Sequence, residues 1–312
     1  MSGPIGFGSI GTPRHDLTDD SFAWPWHGRD MRVGLTSVGR GPTVLMLPAP
    51  SSISSRAEMK PLQIALADRF RTIAVDLPGF GADPKDPEAW SPATYRQFVS
   101  DILEAFPVHG TVAVGHTATY LLGHVVRAPG SAGRVCLIAP TWRGPLPTML
   151  GRRPKVLPAI ARMADIPVLG SLVYRTNVNR WTIRMMANGH VYADRGWLAG
   201  DRLAAKLAVT NSTGARHGSV RFVCGALDPV RSTEEFLSLA ARLADDVLVI
   251  CGSSTPRRSM AEMQQFGKAA RVRCVSIERG KLGVHEEFPA ETAAALLPFL
   301  CETRSRAHLK AI

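Results

Sequence analysis

The sequence predicts an α/β protein built on a doubly wound, mostly parallel β-sheet that carries a helical cap insertion. Short apolar runs rich in β-branched residues recur along the chain, and helical patterns lie between most of them. Continuous apolar strands that alternate with helices are typical of a parallel sheet with helices on both faces. One long stretch has helical patterns and no strand pattern, which predicts the insertion. The length of 312 residues suits a single core of this kind with an inserted segment.

The elements follow one another in a regular order. Residues 31–38 alternate between apolar and polar side chains, which predicts an antiparallel strand at the sheet edge. Core strands are predicted from apolar runs at residues 44–47, 72–75, 111–114, 135–138, 220–223, 247–250 and 272–277. Helices are predicted from amphipathic patterns at residues 91–106, 233–244, 259–269 and 289–301.

Residues 144–218 break this alternation. Several amphipathic patterns interrupted by prolines predict a helical cap there, between core residues 1–143 and 219–312. The segment contains eleven lysines and arginines against three acidic residues, and so holds most of the formal net charge of +11. Two interpretations stay open: a solvated helical face, or a surface that meets an anionic ligand or an anionic membrane.

The composition excludes several classes of protein. Hydrophobic residues make up 45% and charged residues 20%, which excludes a disordered, collagenous or coiled-coil chain. No segment reaches the roughly 20 apolar residues of a membrane-spanning helix, and the N-terminal residues show no leader pattern. The five cysteines are odd in number and lie mostly in apolar runs, which favours buried free thiols in a reducing compartment. We therefore expect a soluble, cytoplasmic protein.

Motifs for metals, nucleotides and nucleic acids are weak or absent. The chain has no C-x-x-C and no H-E-x-x-H pattern, so no metal site is predicted. A G-x-G-x-x-G pattern at residues 6–11 lacks the preceding strand that a dinucleotide site requires. The basic residues are not interleaved with aromatic residues, which argues against nucleic-acid binding. We expect no cofactor, and the oligomeric state is left open.

The clearest chemical signal lies at residues 111–119, where a strand pattern runs through a small-residue turn into a helix pattern. A nucleophile elbow has the pattern G-x-S-x-G, which exposes the central side chain on a tight turn after a strand. Gly115 fits the first glycine, Thr117 occupies the nucleophile position and Thr119 replaces the second glycine. Thr117 is therefore a candidate nucleophile, although its β-branched side chain restricts χ1. The alternative is a small residue that only fills the turn.

Two later segments supply a carboxylate and a histidine. The predicted strand at residues 220–223 is followed by GALDPV, in which Asp228 is placed to orient an imidazole or, alternatively, to cap the next helix. The predicted strand at residues 272–277 leads to GVHEEFP, in which His285 precedes the last helix. The order nucleophile, acid, base agrees with that of α/β-hydrolases.

Together these motifs resemble the α/β-hydrolase superfamily, in its cap-bearing branch of esterases, lipases and related enzymes. LMLPAPSS is similar to the loop after the family's third strand, and RTIAVDLPGFGAD is similar to its D-x-P-G-x-G-x-S segment. VCLIAPTWRGP resembles the strand before the cap, while GALDPV and GVHEEFP resemble the acid and histidine loops. The resemblance covers residues from about 30 to 301.

The resemblance implies a catalytic triad of Thr117, Asp228 and His285 beneath the cap. It also implies an oxyanion hole made by the N–H group of Ala118 and an N–H group from the loop after the third strand. Pro50 of that loop has no N–H group, so we expect Ser51 to be the second donor.

Further residues are expected around the substrate. The resemblance implies that Pro50, His116, Trp142 and Arg143 contact it, with packing as the alternative role. GSSTP at residues 252–256 looks like a second acid loop, but threonine stands where a carboxylate is needed, so Asp228 remains the predicted acid.

We therefore predict an enzyme that hydrolyses a carboxylic ester or related acyl bond of a hydrophobic small molecule. Because the cap is basic, this substrate could also carry a negative charge. Two alternatives stay open. One is a lyase or cyclase that uses His285 and Asp228 for proton transfer. The other is a catalytically inactive binding or scaffold protein whose basic cap meets an anionic partner or membrane.

Overall fold

A computed structural model describes residues 16–302, which form an eight-stranded β-sheet with flanking helices. The strands are β1 Thr18–Trp26, β2 Arg29–Val38, β3 Thr43–Leu47, β4 Arg71–Val75, β5 Gly110–Val114, β6 Arg134–Ile138, β7 Val247–Gly252 and β8 Val272–Ile277. They lie in the order β1-β2-β4-β3-β5-β6-β7-β8. The predicted α/β class is confirmed, together with six of the seven predicted core strands.

The helices alternate with the strands and also fill the segment between β6 and β7. Their bounds are α1 Lys60–Leu66, α2 Pro92–Ala105, α3 Thr117–Arg127, α4 Pro145–Leu150, α5 Leu157–Met163, α6 Leu169–Asn177, α7 Arg180–Met186, α8 Gly200–Asn211, α9 Ala215–Val223, α10 Thr233–Ala241, α11 Arg257–Phe266, α12 Val284–Glu287 and α13 Pro289–Cys301. A 3-10 helix spans Arg56–Met59 and a π-helix spans Ala187–Val191.

Two apolar cores lie on opposite faces of the sheet. Alternate side chains of a strand point to opposite faces, so Val44 and Met46 of β3 pack with α1 and α13, while Leu45 and Leu47 pack with α2, α3 and α10. β3 to β8 run parallel to one another. The carboxyl ends of these strands therefore meet at one edge of the sheet, where the loops can assemble a site.

The N-terminal strands differ from the prediction. β2 pairs with β4 and, over residues 29–37, with β1, so β1 rather than β2 forms the sheet edge. β1 is not predicted, because its apolar residues are confined to the short run at residues 22–26, which Pro25 interrupts, and most of its side chains are exposed.

The predicted strand at residues 220–223 is wrong, because these residues end helix α9. A short apolar run does not distinguish a buried helix from a strand. His217 and Arg221 lie four residues apart on one face of α9, and both contact Asp165, at 2.7 Å and 2.6 Å. Helix therefore continues beyond the predicted cap boundary at residue 218.

The cysteines, the N-terminal motif and the helix lengths can each be compared with the sequence predictions. All five cysteines are free thiols, and Cys136, Cys224 and Cys251 are buried as predicted. The prediction of burial is wrong for Cys274, which lies on the exposed strand β8, and for Cys301. The G-x-G-x-x-G pattern at residues 6–11 lies outside the described residues, and so do residues 1–15, on which the expectation about a leader rests. Within residues 16–302, every helix is too short or too polar to cross a membrane.

Candidate active site

The predicted elbow forms a sharp turn between β5 and α3. β5 is buried along its whole length, and Gly115 follows it with a left-handed φ of +56°. A Cβ atom on Gly115 would lie 3.1 Å from the Cβ of Ala49 in the loop after β3. Glycine at this position therefore accommodates both the turn and the close approach of the predicted oxyanion loop.

The hydroxyl of Thr117 is buried and hydrogen-bonded. Its Oγ1 donates to the carbonyl oxygen of Pro48 at 2.6 Å, and its side chain is fully buried. Thr117 is the first residue of α3 and does not have a left-handed φ; Gly115 takes that conformation instead. The loop after β3 thus holds the Thr117 hydroxyl through the carbonyl oxygen of Pro48.

The predicted oxyanion donors lie at the start of α3 and in the loop after β3. Ala118 is the second residue of α3, so its N–H group has no acceptor within the helix. Pro50 is buried and has no N–H group to offer. Ser51 lies in a turn, where its hydroxyl accepts from the N–H group of Ile53 and its carbonyl accepts from Ser54, both at 3.4 Å.

Asp228 lies in the loop after α9, and its carboxylate contacts three groups. Oδ1 accepts the N–H group of Gly144 at 2.8 Å and lies 3.3 Å from Nε2 of His116. Oδ2 lies 2.5 Å from Nη2 of Arg153. Within residues 16–302, no hydrogen bond or ion pair joins Asp228 to His285. Asp228 therefore connects the elbow to the helical segment and does not contact the predicted base.

The position of Asp228 follows from the helical character of residues 220–223. Because α9 precedes it, Asp228 does not follow a strand of the sheet. The loop after β7 occupies that place, and it contains Thr255, whose buried hydroxyl has no hydrogen-bond partner among the described residues. The post-strand loop that resembles an acid loop therefore has no carboxylate at this residue.

His285 lies in the short helix α12 and is buried beside a different carboxylate. Its Nε2 lies 3.6 Å from Oε1 of Glu58, and neither ring nitrogen has a hydrogen-bond partner in the described part of the chain. Glu58 belongs to the 3-10 helix that follows the predicted oxyanion loop. The carboxylate that contacts His285 is therefore Glu58.

Lys206 of α8 joins this pair to the helical segment. Its Nζ lies 3.3 Å from Glu58 and 3.0 Å from Glu286, which also accepts a hydrogen bond from the hydroxyl of Tyr192 at 2.7 Å. Burial alone would raise the pKa of Glu58, but the Lys206 ammonium and His285 lower this pKa below its ordinary value. Burial lowers the pKa of Lys206, but its two carboxylate neighbours raise it above its ordinary value. Glu58 and Lys206 are therefore charged, and we call Glu58, Lys206, Glu286 and His285 the buried charge cluster.

Sequence reasoning missed Glu58 and the role of Lys206. SRAE at residues 55–58 has the S-x-x-E spacing of a helix capping box, which directs attention to a helix start instead of a site. Lys206 is one of many basic residues in the helical segment. The two residues are 148 positions apart, so no spacing rule brings them together.

Trp142 and Arg143 line a cavity of about 360 Å³ at the start of α10. The Arg143 guanidinium stacks on the Trp142 ring at 4.2 Å and pairs with Glu262 at 3.4 Å. Three further arginines line this cavity, together with the acidic residue Glu234: Arg152, Arg153 and Arg231. His116 and Pro50 are buried and are not among its lining residues. Contact of these four predicted residues with substrate stays a prediction.

Within residues 16–302, no group of three or more His, Cys, Asp or Glu side chains is placed to hold a metal ion.

Solved structures resemble the chain over most of its length. An epoxide hydrolase without ligand has a TM-score of 0.64 and 17% identity, covering 91% of this chain and 98% of its own. A 2-hydroxy-6-oxo-6-phenylhexa-2,4-dienoate hydrolase from Rhodococcus has a TM-score of 0.67 and 19% identity, with 91% and 99% covered. A haloalkane dehalogenase loop variant from Bradyrhizobium elkanii has a TM-score of 0.66 and 15% identity, with 91% and 98% covered. These likenesses show the fold.

The family follows from the sequence comparison. No curated protein matches the chain. The family model described as the alpha/beta hydrolase family matches residues 44–295, which include the elbow, the helical segment and the histidine loop. The chain therefore belongs to the α/β-hydrolase family.

Proposed function

We propose that the chain is an enzyme that hydrolyses a carboxylic ester or a related acyl bond of a hydrophobic small molecule. The observation that carries this proposal is the buried imidazole of His285, which contacts the carboxylate of Glu58 and has both ring nitrogens free of hydrogen bonds within residues 16–302. A histidine that acts as a general base needs a ring nitrogen free to accept a proton and a neighbouring group that orients the ring. Solved structures with this fold include proteins named as hydrolases, which supports hydrolytic chemistry.

In the proposed reaction, His285 is the general base and Thr117 is the nucleophile. The Thr117 hydroxyl leaves the carbonyl of Pro48, transfers its proton to His285, and bonds through Oγ1 to the acyl carbon. The N–H groups of Ala118 and Ser51 stabilise the negative charge on the carbonyl oxygen. The alcohol leaves with the proton from His285, and water then hydrolyses the acyl-threonine with His285 again as base.

Two carboxylates are candidates for the group that supports His285. Asp228 is the acid that the motifs predict, but its contacts are with Gly144, His116 and Arg153. Glu58 contacts the imidazole directly, and the Lys206 ammonium favours its ionised form. The contacts therefore favour Glu58 for this role.

The arginine-lined cavity supports an acidic group on the substrate. Arg153 lies on this cavity and contacts Asp228, which contacts His116 next to Thr117. Side-chain contacts thus link the cavity to the elbow. Guanidinium groups bind carboxylate and phosphate with paired hydrogen bonds, so we propose that this cavity holds such a group.

The test is hydrolysis of p-nitrophenyl esters of increasing acyl length by the wild-type chain, Thr117→Ala and His285→Ala. We expect both substitutions to lower turnover strongly, by about 10² to 10⁴ where the general base His285 is lost. Thr119→Ala is the matched control, because Thr119 is also a buried threonine of α3 whose hydroxyl donates to a backbone carbonyl, that of Thr141, at 2.8 Å. Unchanged turnover in Thr117→Ala would contradict the covalent mechanism.

The hydrogen bond from Thr117 to Pro48 favours a second candidate function. In a lyase or cyclase, His285 would transfer a proton and Thr117 would only hydrogen-bond, as it does here. His285→Ala would then abolish activity while Thr117→Val would reduce it. If the wild-type chain turns over no ester and binds an anionic partner, a non-catalytic binding or scaffold role is favoured instead.

A further inference from the structure

Large apolar side chains are exposed mainly in the helical segment. Among the described residues, only Ile64 and Val275 are exposed large hydrophobic residues outside it. The others are Met149, Leu150, Val156, Ile166, Val168, Leu169, Leu172, Trp181 and Met185. Single exposed apolar residues are ordinary on protein surfaces, but a concentration of them marks an interaction site.

The geometry of α7 directs two of these side chains away from the protein. Ile183 is buried on its inner side, whereas Trp181 is 71% exposed and Met185 is 48% exposed. Residues four apart are neighbours on a helix surface, and residues two before and two after Ile183 lie on the opposite side of the helix. Trp181 and Met185 therefore form an adjacent pair that faces solvent.

The preceding helix α6 has the same arrangement. Gly170 and Tyr174 are buried on its inner side, and Leu172, midway between them in sequence, is 59% exposed. Val168, just before the helix, is 81% exposed. We use the name α6–α7 face for the exposed large apolar side chains of these two consecutive helices and of the turn before α6, namely Ile166, Val168, Leu169, Leu172, Trp181 and Met185.

The charged side chains of residues 166–193, which include the α6–α7 face, are all basic. Residues 166–193 contain no aspartate or glutamate, and they contain Arg175, Arg180 and Arg184, all exposed. Within residues 16–302, none of these three arginines forms an ion pair. The apolar side chains are thus accompanied by cations that have no acidic partner on the described protein.

We propose that the α6–α7 face docks on the surface of an anionic lipid bilayer. Tryptophan, leucine and methionine would enter the boundary between headgroups and acyl chains, and the arginines would contact lipid phosphates. The described helices are too short or too polar to span a bilayer, so the contact is peripheral. Charge complementarity favours this occupant over a second copy of the same basic surface. The proposal does not depend on the hydrolase proposal.

The experiment is co-sedimentation of the full chain with vesicles. Vesicles of phosphatidylcholine with phosphatidylglycerol are compared with vesicles of phosphatidylcholine alone, at low and moderate salt. We expect the wild-type chain to bind the anionic vesicles and to bind them less well as salt rises, because salt screens the arginine contacts. Absence of binding to anionic vesicles at low salt would overturn the proposal.

The apolar contribution is tested with a triple variant, Leu172→Ser with Trp181→Ser and Met185→Ser. We expect this variant to lose vesicle binding. Its matched control is Ile64→Ser with Val275→Ser, which removes exposed large apolar side chains elsewhere and should retain binding. An equal loss in the control would overturn the assignment to the α6–α7 face.

The basic contribution is tested with Arg175→Gln, Arg180→Gln and Arg184→Gln combined. Each basic residue near an anionic bilayer contributes about 1 kcal/mol, so binding should weaken about 10²-fold. The matched control replaces three other exposed basic residues, Arg32, Arg40 and Lys60, by glutamine. An equal loss in this control would show that net charge alone drives binding and would overturn the proposal.

The oligomeric state separates the bilayer from a second copy as occupant. Light scattering after gel filtration measures the mass of the wild-type chain and of the apolar triple variant. A wild-type dimer that dissociates in the variant, together with no vesicle binding, would assign the α6–α7 face to self-association and overturn the proposal. A wild-type monomer that binds anionic vesicles supports it.

Discussion

Two regions of the molecule each bury a histidine beside a carboxylate, and they differ in how many contacts the pair makes. At the elbow, His116 lies 3.3 Å from Asp228 and its ring also contacts the carbonyl of Leu227 at 3.1 Å, while Asp228 contacts Arg153 as well. At α12, His285 lies 3.6 Å from Glu58, and neither nitrogen of its ring is hydrogen-bonded within the described structure.

The difference indicates which pair is available for chemistry. Buried polar groups are normally hydrogen-bonded, and exceptions in folded proteins call for an explanation such as a catalytic role. The buried charge cluster contains two carboxylates, Glu58 and Glu286, against the one ammonium of Lys206. Glu58 of this cluster lies beside the ring, where a carboxylate can hold the imidazole of a general base in a fixed orientation. His116 is already engaged through Nε2, which contacts both Asp228 and the carbonyl of Leu227, and only its Nδ1 lacks a hydrogen-bond partner within residues 16–302.

The largest expected effect separates the two histidines. His285→Ala should lower kcat/KM for the best ester by about 10² to 10⁴, because a general base is lost. His116→Ala should lower it by less than about tenfold while reducing stability. Steady-state kinetics and thermal unfolding of both variants make the comparison. Equal losses of activity would remove the distinction between the two pairs.

The next largest effect is on stability, and it separates the two cations that pair with these carboxylates, Lys206 and Arg153. Lys206→Met leaves the buried carboxylate of Glu58 and the half-buried carboxylate of Glu286 without a cation, which should lower the free energy of unfolding by about 3 to 5 kcal/mol. Arg153→Met should lower it less, because the Arg153 side chain is 28% exposed and Asp228 keeps its contacts with Gly144 and His116. Urea unfolding measures both. A larger loss in Arg153→Met would reverse the comparison.

A smaller effect, on kcat, separates the two carboxylates that lie beside the histidines, Glu58 and Asp228. Glu58→Gln should lower kcat by about 10² with little change in KM, because the carboxylate that contacts the His285 ring is replaced by a neutral amide. Asp228→Asn should change kcat by less than about tenfold, because this carboxylate does not contact His285. Partial recovery in Glu58→Asp would distinguish loss of charge from loss of packing. If Asp228→Asn has the larger effect on kcat, the predicted triad is favoured over Glu58.

The smallest effect is the pH dependence of stability. The pKa of Glu58 is lowered below 4.5, so near pH 4 the folded chain binds fewer protons than the unfolded chain at this site, and stability should fall as pH falls. The pKa of Lys206 is raised above 10.5, so its contribution should be lost as pH rises beyond that value. Urea unfolding at neutral and acid pH checks the first part. Glu58→Gln should flatten the acid limb, and an unchanged limb would show that other groups dominate it.

Much of the fold was predictable because it depends on local patterns. α13 begins and ends at the predicted residues, and six predicted core strands form, since buried parallel strands read as continuous apolar runs. β1 is not predictable from its pattern, because its side chains are mostly exposed. Residues 220–223 predict a strand but end helix α9, because a short apolar run has no distinguishing period.

The candidate site was predictable only in part. The sequence by itself determined the family motifs, the elbow at Gly115 and the position of His285, because each depends on residues close together in the chain. Only the tertiary structure decided which carboxylate meets His285. Glu58, Lys206 and His285 come from a 3-10 helix, α8 and α12, and an ion pair forms only where packing brings such distant elements within a few ångströms. The same packing turned Asp228 toward Arg153 and the Thr117 hydroxyl toward Pro48, because a buried polar group bonds to whatever partner the assembled fold places beside it.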